Sequence, residues 1–133
     1  MSTPEHTSKH EAILYLENVR QISSLLSPNE RQAVASFLAL LQQNYPERVL
    51  QTILFGSKAR GDSRSWSDMD ILIVVDRDDW RLSHAISNLA ADVSLEYDVL
   101  IGPRVIWQER WERMKERRFS LYQNIAAEGI PLA

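Results

Sequence analysis

The 133-residue sequence contains no cysteine. That excludes disulfides, a thiolate metal site and a cysteine nucleophile, and it fits a reducing compartment, so a cytoplasmic protein is expected. Long apolar runs are missing as well. The longest, ILIVV at 71–75, has the length of a strand and falls far short of the ~18 residues that span a bilayer. The opening stretch MSTPEHTSKHEAILYLENV has no apolar h-region, so neither a signal peptide nor a membrane association is expected. Positive charge is not in surplus: 15 Lys and Arg face 18 Asp and Glu, for a net charge of −3. A general nucleic-acid binder would show a basic excess, and no basic and aromatic groove emerges that would hold a strand directly. The three histidines, His6, His10 and His84, have no partner at ligand spacing.

What is present is an ordinary globular composition, 44% hydrophobic and 25% charged, in a chain long enough for one core without staples. Ala12, Leu16, Val19, Ile22 and Leu26 recur at helical spacing. Ser27-Pro28-Asn29-Glu30 then reads as a stop and restart, with Ser27 as N-cap, Pro28 at the first helical position and Glu30 closing a capping box. Val34, Phe37, Leu38 and Leu41 form the stripe of the next helix, which Pro46 ends. Val49–Phe55 and Asp68–Val75 read as strands, the second apolar on both faces and therefore central. Residues 56–67 read as a loop with a short helix near Ser57. A helix is expected from Asp78 to about Leu95, and Tyr97–Ile101 (YDVLI) as a third strand stopped by Gly102-Pro103. Trp107, Trp111 and Met114 at i, i+4, i+7 mark a further helix, and Phe119 to Ala126 a last one ending at Gly129. The order predicts an α/β fold, a small central sheet with helices packed on it.

The chemistry concentrates in ILFGSKARGDSRSWSDMDILIVV (53–75). Asp68 and Asp70 alternate onto one face of a strand. Two like charges so placed raise each other's pKa unless a cation lies between them, and oxygen-only ligands suit Mg²⁺ or Mn²⁺. Gly56 lets the backbone approach a ligand closely, and Ser57 at a helix start would aim N–H groups and a hydroxyl at an anion. Arg60 reads equally as a phosphate contact or as a brace for the loop. Lys58 reads as a solvated charge. Asp98, in the expected strand YDVLI, is the candidate third carboxylate of a two-metal site, helping to draw a proton from an acceptor, with Glu96 as the fallback. Trp107, Trp111 and Met114 read as core, and Asp62, Asp76, Asp78 and Asp79 as turn or capping residues.

Gly56-Ser57, ten residues, then Asp68-Met69-Asp70 resembles the G-S-x(10)-D-x-D signature of the DNA polymerase β-like nucleotidyltransferases. The stretch GSKARGDSRSWSDMDILIVVD is similar to their minimal nucleotidyltransferase branch. The resemblance is continuous from about Ile53 to Asp76 and looser from Glu30 to Ile101. It implies the polymerase β-like fold, a small mixed sheet flanked by helices, with extra terminal helices. It divides a single domain, 1–133, into an N-terminal helical extension (1–27), a catalytic core (28–104) and C-terminal helices (105–133). It implies that Ser57 contacts the β- and γ-phosphates and that Asp68, Asp70 and a later strand aspartate, in the place of Asp98, bind two metal ions. It also implies ATP as substrate, AMP as the group transferred to a hydroxyl, and a small helical HEPN-type toxin as partner, with this chain as antitoxin. A toxin-neutralising module without catalysis, and an enzyme modifying an antibiotic or another small molecule, remain as alternatives.

Overall fold

The structure, a computed structural model, describes residues 21–64 and 66–132. The expected helix from Glu11 lies outside the described residues except for its last turns, helical at 21–25. Helix α1 spans Pro28–Asn44. The sequence starts it as read: Ser27 Oγ accepts from the Glu30 N–H at 3.2 Å, and the Ser27 N–H donates to Glu30 Oε1 at 2.9 Å. Strand β1 is Val49–Phe55, the five-residue helix α2 is Gly56–Arg60 and strand β2 is Met69–Val75. Helix α3 (Trp80–Tyr97) leads to strand β3 (Ile101–Trp107), then helices α4 (Gln108–Glu116) and α5 (Ser120–Glu128) and the two-residue strand β4 (Ile130–Pro131).

The sheet order is β3-β2-β1-β4. β1 runs antiparallel to β2 and to β4, while β2 and β3 are parallel, so α3 is the crossover that a parallel pair requires. The sheet is mixed, as expected. Met69, Ile71, Ile73 and Val75 point to one face and pack with Phe37, Leu41, Ile86 and Val93 of α1 and α3. Leu72 and Val74 point to the other, against Ile53, Ile106, Trp111, Met114 and Ile125, under α4 and α5. β2 is thus covered on both faces, as its unbroken apolar run predicts.

Two expectations fail here. Tyr97–Ile101 is not a strand. Helix α3 continues to Tyr97, and Asp98 is its C-cap in the left-handed region (φ 53°), with its N–H donating to Ser94 O. Aspartate tolerates that conformation better than most residues. The third strand begins at Ile101, where the expected one ends, and Gly102-Pro103 lies inside it instead of stopping it. Because β3 is an edge strand, a proline there costs no ladder bond on its outer side. Trp107 is therefore the last residue of β3 rather than the first of a helix. Strand β4, Ile130–Pro131, is too short to show a strand pattern in sequence. Gly129, just before it, has φ −68° and is not a left-handed cap: a Cβ would sit 2.5 Å from Ile125 O and 2.6 Å from Ile53 Cγ2, so only glycine lets α5 turn onto the sheet.

Candidate active site

Antiparallel pairing sets the end of β1 beside the start of β2, with Phe55 opposite Asp70. The phosphate-type turn and the carboxylate pair are thereby neighbours. Gly56 has φ +75°, and a Cβ on it would collide with Asp70 Oδ2, so the backbone requires glycine twice over. On the other side, Asp70 pairs with Gly102 of β3. A Cβ on Gly102 would lie 3.3 Å from Asp70 Oδ1 and 3.5 Å from Asp68 Oδ2. The two carboxylates therefore converge on one point of the sheet face, between two glycines. Asp68 is exposed and Asp70 half-buried. Burial pushes the Asp70 carboxyl up from its ordinary value and the Asp68 charge pushes it further, while Arg104 and Arg60 pull it back without cancelling the rise. Negative charge is in excess at this spot, and a bound cation would relieve it.

Asp98 is not brought to this pair. It lies at the end of α3, on the wall of a cleft of about 540 Å³ formed with Ser27, Asn29, Trp66, Ser67 and Leu100. Glu96, in α3, does not join the pair either. No group of three or more His, Cys, Asp or Glu that could hold a metal occurs among the described residues. Asp68 and Asp70 are the protein oxygens that fit a hard divalent ion such as Mg²⁺ or Mn²⁺. An ion held there would polarise and orient phosphate oxygens.

The cations of the turn differ from one another. Lys58 is buried, against the expectation of a solvated charge. Its Nζ lies 2.8 Å from Glu30 Oε2 and donates to Arg64 O at 3.1 Å. Burial pushes the Glu30 carboxyl up, but Lys58 and the Ser27 N–H outweigh it and hold the carboxyl below its ordinary value. Glu30 thus caps α1 with one oxygen and anchors the phosphate-type turn with the other. Arg60 acts as a brace: its Nε lies 3.2 Å from Asp62 Oδ2 and its Nη1 3.1 Å from Glu128 Oε2 of α5. Ser57 sits in the first turn of α2, where helical geometry leaves N–H groups without an internal acceptor.

The profile of the family described as "Nucleotidyltransferase domain" matches residues 34–131. The chain belongs to the nucleotidyltransferase domain family. This nucleotidyltransferase is 37% identical over 101 residues to the "Putative protein adenylyltransferase MJ0604" of Methanocaldococcus jannaschii, covering 76% of this chain and 95% of that protein. It is 41% identical over 58 residues to a second protein of that organism, the "Putative protein adenylyltransferase MJ0141", covering 43% of this chain and 59% of that one. A solved structure described as a "putative minimal nucleotidyltransferase" is 25% identical, at TM-score 0.48, over 77% of this chain and 94% of that chain. The enzyme class expected from the G-S-x(10)-D-x-D stretch stands. Among the described residues no helix is long and apolar enough to cross a membrane.

Proposed function

We propose that this nucleotidyltransferase is a divalent-metal-dependent protein adenylyltransferase. It would take ATP with Mg²⁺ at Asp68 and Asp70, with Gly56 and Ser57 facing the phosphates. The acceptor hydroxyl oxygen attacks the α-phosphorus, the α–β bridging bond breaks, pyrophosphate leaves and the hydroxyl proton passes to solvent. The chain's own contribution is placement and charge, the usual means of phosphoryl-type transfer. One observation carries this reading: two carboxylates in repulsion converge between Gly56 and Gly102, at the mouth of a glycine-serine turn. The relative that this chain covers almost whole, named "Putative protein adenylyltransferase MJ0604", supports AMP as the group moved and a protein as the acceptor.

A small helical HEPN-type protein is the partner that the motif resemblance suggests, with this chain as its antitoxin. Among the described residues Asp98 does not stand with the pair, so Asp68 and Asp70 are the carboxylates that would hold the ion. The test is intact-mass spectrometry of the protein with a small helical HEPN-type protein, ATP and Mg²⁺. A partner heavier by one or more AMP units, and unchanged with Asp70→Asn, supports the proposal. An unmodified partner that still forms a tight complex replaces it with a neutralising module.

A further inference from the structure

Among the described residues, two cations of the turn are already committed. Lys58 is buried against Glu30, and Arg60 is shared between Asp62 and Glu128. Arg104 of β3 also acts on Asp70 and is not committed in this way. The register places it: Asp70 lies opposite Gly102 and Leu72 opposite Arg104. Residues two apart on a strand share a face, and paired residues on neighbouring strands do too. Arg104 therefore rises from the same face as Asp70, one step further along β3. It is exposed, and its guanidinium makes no ion pair or hydrogen bond among the described residues. Its charge reaches Asp70 and opposes the rise in that carboxyl's pKa.

We propose that Arg104, rather than Lys58 or Arg60, is the side chain that grips the phosphate chain of the nucleotide. The inference rests on the proposed nucleotidyl transfer. A triphosphate approaching Asp68 and Asp70 meets a carboxylate pair that repels it until a cation intervenes. Gly102 has no side chain to stand between that point and the guanidinium, so the phosphate oxygens gain a planar donor fork beside the pair. Guanidinium forks suit phosphate oxygens geometrically as well as by charge. Lys58 could serve only by abandoning a buried carboxylate, and Arg60 only by releasing α5.

The test is calorimetric binding, with Mg²⁺ present, of α,β-methylene-ATP, which cannot transfer its AMP, compared with adenosine. Arg104→Met is expected to weaken the triphosphate analogue about tenfold or more, to leave adenosine unchanged and to keep the melting temperature, since the side chain is exposed. Arg104→Lys should recover part of the loss, and Arg60→Met should act mainly on the melting temperature. A general disturbance of the fold would weaken both ligands alike and would overturn the assignment. So would an Arg104→Met protein that binds the analogue as the wild type does, or an Arg60→Met protein that alone loses it. A wild-type protein that shows no preference for the triphosphate over adenosine would instead overturn the nucleotidyl-transfer reading beneath it.

Discussion

The two ends of strand β2 carry the same residue type in opposite circumstances. At the C-terminal end, Asp76 and Asp79 share Arg48, whose Nε lies 3.0 Å from Asp76 Oδ1 and whose Nη1 lies 3.2 Å from Asp79 Oδ2. Asp79 also caps α3 by accepting from the Arg81 and Leu82 N–H groups. Its carboxyl is held below its ordinary value, first by the Leu82 N–H and then, against a little burial, by Arg48. At the N-terminal end, Asp68 and Asp70 converge with no such partner among the described residues, and Asp70 is pushed the other way. Compensated acid at a strand end is architecture. Uncompensated acid, walled by two glycines, is what the proposed cation site would require.

If that contrast holds, neutralising each end has opposite consequences. The largest effect is expected from Asp70→Asn: AMP transfer falls by at least ~100-fold, the scale of losing a charge-stabilising group in such a site, while the metal-free fold is as stable as the wild type or more so. Transfer assays and thermal melts on one preparation check both halves. Next comes Lys58→Met. Leaving Glu30 buried and unpaired costs about 3–5 kcal/mol, readable in denaturant unfolding, whereas Lys58→Met with Glu30→Gln recovers part of the loss. Third, saturating Mg²⁺ should raise the wild-type melting temperature, by about 2.7 kcal/mol of stability at a hundredfold excess over Kd, and should leave Asp70→Asn unmoved. The smallest effect is at the far end: Asp79→Ala lowers the melting temperature slightly and leaves transfer unchanged.

Acid tests the compensated carboxylates together. Glu30 and Asp79 are both held below their unfolded values, so their stabilisation is complete above the ordinary carboxylate range and is lost as pH falls through their folded pKa values. Asp79→Ala and Glu30→Gln should each flatten the loss of stability below about pH 4, the ordinary carboxylate value, in pH-dependent melts.

Much of this was legible in advance. β1 has the bounds that its apolar run predicts, β2 starts within one residue of them, and the capping box at Ser27 and Glu30 forms as spelled. These are local patterns, and local physics decides them. What escaped was decided by neighbours distant in sequence. Gly102-Pro103 reads as a stop until β3 is known to be an edge strand, and YDVLI reads as a strand until α3 is seen to end on a left-handed Asp98. Lys58 reads as a surface charge because its partner lies 28 residues earlier. A basic residue at 104 has no meaning until the parallel register sets it beside Asp70. The candidate site was legible as a motif, but its cations were not, because charge pairing is written in three dimensions.

The bond between Lys58 and Glu30 also has a kinetic consequence. One carboxylate closes the first turn of α1 and holds the glycine-serine turn, so neither can open without loosening the other. The amides of Glu30 and Arg31 and those of Gly61 and Asp62, though some thirty residues apart in the chain, should exchange with solvent deuterium through a single opening event. The glycine-serine turn would then have the lifetime of a helix end in the core rather than that of a surface loop.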